Sequence, residues 1–368
     1  MSVEKIVITG GPCAGKSTAM SKIQKELSLL GYKVIFIAES ATELITGGIT
    51  PWEYEDFQTI LMKYQLDKEK VYEEAAKRSG KKTLIVCDRG ALDNRAYMND
   101  EQFNKVLKEI GTTEVELRDS YGAVFHLNTV AKGAVEYYTL DNNAARTETP
   151  EQAIELDDKI INAWTGHPHF RVIDNSTDFS TKIKRLIKEI TSYLGEPISY
   201  EIERKYLIDM PNMPWLTRQP NVQKVDILQT YLNSDPSEEV RVRQRGITFR
   251  GNTYGDSSYI YTKTTKRKVT DLTRVEVEKR LSKDEYLNEL MNADISKHQI
   301  RKERYCMTYK NNYLEIDIYP FWKDKAILEV ELSSEEAIVE LPDELKVIKE
   351  VTNDDYYKNA SLASMTFN

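Results

Sequence analysis

A parallel α/β half followed by an antiparallel β half is the fold this sequence predicts, on three observations. Five short apolar runs within residues 1–195 are separated by stretches of helical periodicity, the pattern of a sheet covered by helices on both faces. Beyond that point eight runs alternate with turns, which suits an antiparallel sheet or barrel. Between the two lies Leu194-Gly195-Glu196-Pro197; a Gly just past a helix with Pro soon after is a stop signal and a natural boundary. The expectation is therefore an α/β domain over 1–195 and an α+β domain with an eight-stranded antiparallel sheet over 196–368.

The elements follow in order. Residues 5–9 form a buried strand, about 16–30 a helix, 33–38 a second strand, and 51–77 a long helical stretch. Residues 83–87 and 122–127 are further apolar strands, 150–164 a charged helix, 170–173 a last short strand and 179–193 the closing helix. The second half offers strands at 201–208, 225–232, 239–245, 259–264, 274–281, 299–309, 313–319 and 326–332. No internal repeat or low-complexity segment interrupts them.

Bulk electrostatics decides little. The net charge of −8 divides evenly, 25 Lys and Arg against 29 Asp and Glu in 1–195 and 26 against 30 in 196–368. With no basic half or tail, non-specific binding to nucleic acid or anionic membrane is not indicated. Three distant cysteines, Cys13, Cys87 and Cys306, make neither a disulfide framework nor a zinc knuckle. The start of the chain lacks a signal-peptide layout and no apolar run approaches the ~18 residues of a membrane span, so a cytoplasmic protein is expected.

Local placement is more telling. Gly10-Gly11-Pro12-Cys13-Ala14-Gly15-Lys16-Ser17 satisfies G-x-x-x-x-G-K-[ST] between a buried strand and a helix, the context that motif requires. The glycines let the loop from Gly10 through Pro12, Cys13 and Ala14 to Thr18 close its backbone N–H groups, Pro12 having none, around an anion at the positive end of the helix. Lys16 can bridge β- and γ-phosphates, and the Ser17 hydroxyl can ligate Mg²⁺. Ligands of open parallel sheets sit at the carboxyl ends of strands, where Glu39 and Asp88 also fall. Asp88 ends its strand as a metal-supporting acid does, while Glu39 can accept a proton from a substrate hydroxyl. The bland readings are a helix cap or a loop ion pair.

With the run Asp88 to Tyr97 and the segment Arg146 to Trp164, residues 1–195 resemble the P-loop kinase family that includes nicotinamide riboside kinase-like and deoxynucleoside kinase-like proteins. That resemblance implies that Arg89 touches substrate or phosphate, that Asp93 or Tyr97 lines an acceptor pocket, and that Arg146 closes over the transferring phosphoryl group. It also brings Asp174 and Asn175 near the base of ATP or GTP. His167 and His169 read as surface or helix-capping histidines rather than catalytic ones.

The second half carries charges spaced by two, which share one strand face. Glu201/Glu203, Glu276/Glu278, Glu315/Asp317 and Glu329/Glu331 are acidic pairs; Lys205, Arg241, Arg243, Lys263, Arg274, Lys302 and Arg304 form a basic set. A solvated outer face with cross-strand ion pairs is the ordinary reading. Against it, like charges cluster by strand, although facing like charges at ~4 Å cost roughly 4 kcal/mol at an effective dielectric of 20. Eight strands with one inward code would line a barrel with charge, and such a lining calls for divalent metal and polyphosphate.

The intact Glu201-x-Glu203-x-Lys205 motif and the closing segment Glu350 to Asn359 make residues 198–366 similar to the CYTH, or triphosphate tunnel metalloenzyme, family. It includes inorganic, thiamine and RNA triphosphatases and class IV adenylyl cyclases. The resemblance implies Mg²⁺ or Mn²⁺ on Glu201, Glu203, Glu276, Glu278, Asp317, Glu329 and Glu331, and triphosphate on the basic set, with Lys358 as a cap. The whole chain resembles the TRPL translocation defect protein family, which implies GTP and phosphoinositide binding. Two functions are thus expected to compete: an enzyme joining a P-loop phosphotransferase or NTPase site to a metal-dependent triphosphatase, and a nucleotide-regulated binding protein whose tunnel holds a phosphorylated ligand without turnover.

Overall fold

The computed structural model describes residues 3–133, 149–196, 203–235, 238–247, 258–268, 274–310, 312–332 and 338–365, with the side chains at 247, 258, 267–268, 274–277 and 331 excepted. The chain divides into two units, Met1–Glu196 and Pro197–Asn368.

In the first unit, strands β1 (Val3–Thr9), β2 (Lys33–Ile37), β3 (Thr83–Asp88), β4 (Ala123–Leu127) and β5 (Phe170–Ile173) form one parallel sheet in the order β2-β3-β1-β4-β5. Helices α1 (Lys16–Leu29), α3 (Phe57–Arg78), α6 (Pro150–Trp164) and α7 (Phe179–Tyr193) are the long connections. Side chains alternate across the sheet. Ile6 and Ile8 of β1, with Leu84, Val86, Phe125 and Leu127, pack on Ala19, Ile23 and Leu27 of α1 and Ile183, Leu186 and Ile190 of α7. Val7 faces the other way, where it and Trp164 of α6 crowd Gly90 so closely that a Cβ there would lie 2.6 Å from the indole.

The structure adds helices that the apolar pattern passes over: α2 (Ser40–Thr46), α4 (Asp100–Ile110) and α5 (Glu114–Arg118). The last two open on reciprocal capping boxes, Asn99 with Gln102 and Thr113 with Glu116, which satisfy backbone donors that a helix start leaves bare. The expected helix from Pro51 begins at Phe57 instead, because the backbone N–H groups of Glu53 and Tyr54 turn back onto the Thr50 carbonyl.

The second unit is a nine-stranded antiparallel sheet in the order β10-β9-β8-β7-β11-β12-β13-β6-β14. Its strands are β6 (Glu203–Asp209), β7 (Val222–Leu232), β8 (Glu238–Ile247), β9 (Ser258–Lys268), β10 (Arg274–Leu281), β11 (Ile300–Tyr309), β12 (Asn312–Ile318), β13 (Lys325–Glu331) and β14 (Val347–Glu350). Eight match the sequence pattern. The ninth, β14, is four exposed residues with a register shift against β6, too short and too polar to announce itself.

One face of this sheet is apolar. Ile208, Tyr305, Met307, Leu314, Ile316, Leu328 and Val330 pack beneath Leu216 of the short helix α8 (Met213–Leu216) and Leu345. Farther along, Leu232, Val242 and Leu281 meet Tyr286 of α9 (Lys283–Glu289). The opposite face carries the charges, and at one end Leu207, Ile300, Tyr319, Trp322 and Ile327 close it against Leu362 and Ala363 of α10 (Asn359–Ala363). Among the described residues no helix is long and apolar enough to cross a membrane.

Candidate functional sites

The phosphate loop leaves β1 through residues that demand special backbone. Gly10 has φ 145°, and a Cβ there would lie 2.1 Å from the Leu127 carbonyl oxygen; Gly15 has φ 89° and precedes α1. Both positions belong to glycine for steric reasons. The loop is braced from three elements. Asp157 of α6 accepts from the Gly11 N–H at 2.7 Å and from the Thr129 N–H at 3.2 Å, and contacts His126 Nε2 at 3.0 Å and Lys132 Nζ at 2.8 Å. Burial raises its acidity threshold, yet His126 and Lys132 outweigh that and hold the carboxyl well below the usual range.

From the other side, Lys182 of α7 donates to the Ala14 carbonyl at 3.3 Å, the Asn128 carbonyl at 2.7 Å and Asn175 Oδ1 at 2.7 Å. Burial pushes its ammonium down to about 8. Thr129 ties down the Pro12 carbonyl. Asp157 and Lys182 lie 146 and 168 residues from the loop positions they hold, so no local motif signals them.

Lys16 folds back onto the Gly10 carbonyl at 3.3 Å. Around it stand Asp88, Arg89, Glu39 and Asp93. Burial lowers the Lys16 pKa, and the Arg89 guanidinium adds to that, while Asp88, Glu39 and Asp93 oppose. Burial raises the Asp88 pKa, with Glu39 adding and Lys16 opposing. Arg89 itself holds a left-handed backbone, φ 67°, which a side-chain-bearing residue adopts at a cost of ~1–2 kcal/mol. The strand end turns sharply there and delivers the guanidinium to Glu39, through Nε, and to Asp93 Oδ1 at 3.4 Å.

These pairings settle where several expected site residues sit. Glu39 is an ion-pair partner of Arg89 that also accepts from Thr42; burial pushes its pKa up, but Arg89 and Lys16 outweigh it and keep the carboxylate more acidic than usual, a poor setting for a proton acceptor. Asp93 is buried and accepts from Thr9 Oγ1, the Gly90 N–H at 2.8 Å and Trp164 Nε1 at 3.2 Å, so it is a hub of the fold rather than a wall of an open pocket. Asn175 spends its amide on the carbonyls of Thr129 and Lys132, at 2.7 and 2.8 Å, and on Lys182. His167 is fully buried, with Nε2 2.9 Å from the Tyr121 carbonyl and Nδ1 accepting from the His169 N–H, and thus is no surface histidine. Arg146 lies outside the described residues.

Asp88 differs from its neighbours. Its Oδ1 is buried with no hydrogen-bond partner, an arrangement that costs free energy unless a ligand, water or ion completes it. The hard oxygens of Asp88 and of Ser17, in the first turn of α1, are the donor type a hydrated Mg²⁺ takes, so this site fits the ion.

On the sheet of the second unit, strand register shows which charges share a face. Arg304 pairs with Asp317, Glu315 with Glu329, and Glu329 with Lys205; across β7, Gln229 pairs with Arg243 and Tyr231 with Arg241. The face is charged and buried: Asp317 is 0% and Lys302 3% exposed. Arg304 holds Asp317 through Nε and Nη2, both at 2.7 Å, Glu329 through Nη2 at 2.6 Å, and Glu315 through Nη1. Lys302 adds to Asp317, and Lys205 spans Glu203 and Glu329 at 3.1 Å each. Burial works against Glu329, Arg304 and Lys205 as ions. The opposing charges nonetheless hold Glu329 well below its usual pKa and raise those of Arg304 and Lys205.

Lys263 corrects the sequence reading. It stands opposite Val242 on β8, on the apolar face, and reaches Glu289 of α9 at 2.7 Å. Strand parity gives the charged face Thr262, Thr264 and Lys266 instead. Lys358 bonds Asp355 on the surface of the terminal segment. Glu278 accepts from Thr264 at 3.0 Å. Glu201 lies outside the described residues, as do the side chains of Arg274, Glu276 and Glu331. Among the described residues no group of three acids, histidines or cysteines could hold a metal. The described carboxylates Asp317, Glu315, Glu329 and Glu203 are each paired with Arg304, Lys302 or Lys205.

Comparison with known proteins agrees with the first unit's geometry. The AAA domain family matches residues 5–182. No curated protein matches the chain. Solved structures similar to part of it include the inorganic triphosphatase NE1496, 25% identical over 46% of this chain and 99% of that one with a TM-score of 0.33. A second structure of NE1496, described as a hypothetical protein, is 26% identical over 45% and 99%, TM-score 0.32. The PH1012 protein of Pyrococcus horikoshii OT3 is 17% identical over 37% and 82%, TM-score 0.26. The family match falls within the first unit, whose parallel sheet and phosphate loop make a P-loop-like domain, and a nine-stranded antiparallel sheet follows it in the chain.

Proposed function

We propose that the protein is a two-site phosphate-handling enzyme: the first unit binds ATP or GTP for phosphoryl transfer or hydrolysis, and the second receives a triphosphate chain. The observation that carries the first part is the strand-end pair. Lys16 and the unsatisfied Asp88 Oδ1 flank the phosphate loop at the carboxyl ends of neighbouring parallel strands. Loop N–H groups and Lys16 would cradle the phosphates, Arg89 would neutralise developing charge, and Asp88 with Ser17 would hold Mg²⁺ or Mn²⁺, which would neutralise phosphate charge. With Glu39 bound to Arg89, its supporting role is to aim that guanidinium.

For the second unit, the ion pairs on Asp317, Glu329 and Glu203 favour holding a phosphorylated ligand over metal-dependent turnover. Titration calorimetry with ATP and GTP tests the first site: Lys16→Ala is expected to weaken both by more than about 100-fold, on the scale of losing a charge-assisted contact to phosphate. Unchanged affinity would sink the phosphate-loop assignment.

A further inference from the structure

Lys182 of α7 is a buried cation whose charge no anion meets at contact distance. Its side chain is 2% exposed. Among the described residues its hydrogen bonds go to neutral oxygens only: the Ala14 carbonyl at 3.3 Å, the Asn128 carbonyl at 2.7 Å and Asn175 Oδ1 at 2.7 Å. The charged groups facing it there are Asp157 of α6, Asp174 after β5 and Arg185, one turn along α7. Both carboxylates have cations of their own, Asp157 in Lys132 at 2.8 Å and Asp174 in Arg185 at 2.7 Å. A buried ammonium bonded to dipoles alone costs free energy, and a bound anion nearby would offset that cost.

The Ala14 carbonyl connects this charge to the phosphate loop. It belongs to the peptide whose N–H is that of Gly15, on the opposite side of the bond. Gly15 is the N-cap of α1, so its N–H is among the donors that a helix start offers to an anion. Donation by Lys182 to the carbonyl polarises the peptide and makes that N–H a stronger donor. A phosphate oxygen accepting from Gly15 would stand roughly 8 Å from the ammonium, across one peptide group and one hydrogen bond. Gly11 is treated the other way, because Asp157 takes its N–H at 2.7 Å and withholds it from a ligand.

We propose that Lys182 is a positioning residue of the nucleotide site: its buried ammonium polarises the Ala14–Gly15 peptide toward the bound phosphates and answers their charge from behind the loop, while Lys16 contacts them directly. The inference rests on the reading that the first unit binds ATP or GTP. Binding then carries a proton signature. Burial has brought the Lys182 ammonium down to about 8, and a phosphate anion near it favours the charged form. Nucleotide therefore takes up a proton where the free site has lost one, and affinity falls as pH rises through 8. Hydrogen bonding alone leaves no such signature, because a neutral amine still donates.

The test uses the full chain and titrates ADP and GDP calorimetrically with Mg²⁺ between pH 7 and pH 9.5. Lys16→Ala identifies the binding that belongs to the loop. For a one-unit rise of the Lys182 pKa, buffers of different ionisation enthalpy at pH 8 are expected to show uptake of about 0.4 proton per nucleotide, and affinity to fall about five- to tenfold by pH 9.5. Lys182→Arg, whose charge does not titrate in this range, should hold its affinity at high pH and lose the uptake. Lys182→Met, a second variant should the larger guanidinium not fit, should also lose the uptake and bind about tenfold more weakly at pH 7; melting curves confirm that each is folded. Uptake below about a tenth of a proton in the unaltered chain, or uptake that the variants retain, overturns the role of Lys182 while sparing the phosphate loop. Binding of neither nucleotide at pH 7 overturns both.

Discussion

The phosphate loop and the charged sheet face are both directed at phosphate, yet they are assembled on opposite electrostatic terms. The loop presents few formal charges: glycine-permitted backbone, Lys16, and around them a scaffold in which Asp157 and Lys182 hold loop peptides by hydrogen bonds. The sheet face presents many charges, and most that are described on β6 and β11–β13 neutralise one another. The difference teaches that charge written in a sequence is not charge available to a ligand. A buried carboxylate must be paired or be protonated, so the described acids Asp317, Glu315 and Glu329 of the sheet face are paired, while the sparser site holds the unsatisfied Asp88 oxygen.

That contrast can be broken most directly at Arg304. Replacing it with Met leaves Asp317, Glu315 and Glu329 buried without their shared partner, and the second unit is expected to lose about 3–5 kcal/mol. Urea denaturation of the full chain should show it, with Arg304→Lys intermediate because a point charge cannot reproduce the fork. A loss below about 1 kcal/mol, the scale of an exposed pair, would mean that the face is solvated and its acids accessible.

The next effect sharpens the loop's side of the comparison. Lys182 has its pKa pushed down by burial from 10.5 to about 8. Between those values the unfolded chain holds more protons at this position than the folded one, so the group's contribution to stability rises with pH across the window and is lost as pH falls to 8. Stability measured against a Lys182→Met variant is expected to increase by ~1–3 kcal/mol from about pH 8 to about pH 10.5, following the ~1.4 kcal/mol carried by each pKa unit. A flat difference would show that the ammonium is solvated and does not brace Ala14.

The smallest effect concerns Lys263. Because it lies on the apolar face against Glu289, Lys263→Ala should leave tripolyphosphate affinity within about twofold and cost less than ~1 kcal/mol, as for a part-exposed ion pair. A tenfold loss of affinity would return Lys263 to the ligand's side of the sheet.

How much was legible follows from how far apart the deciding residues are. Gly10 to Ser17 is contiguous, and its strand-loop-helix context lies within a few turns of chain, so motif and fold announce each other. The eight longer strands of the second unit were likewise readable from period-two alternation. Charges at i and i+2 fix which residues share a face within one strand, but not which face another strand offers: Lys263 and Lys266 differ by three positions, and only pairing with β8 shows that Lys266 is level with Glu239 while Lys263 is level with Val242. Helices α4 and α5, which the sequence reading passed over, open on capping boxes formed by Asn99 with Gln102 and Thr113 with Glu116.

The sequence by itself determined the order of the longer elements, the phosphate loop and the existence of a sheet face dense in charge, because each depends on neighbours in the chain. Tertiary structure alone decided that Asp157 and Lys182 grip the loop, that Asn175 and Asp93 serve the scaffold, and that Arg304 binds three carboxylates at once. Those outcomes depend on register and on contacts across many tens of residues, where the competition among desolvation, ion pairing and hydrogen bonding is resolved only once the partners are brought together.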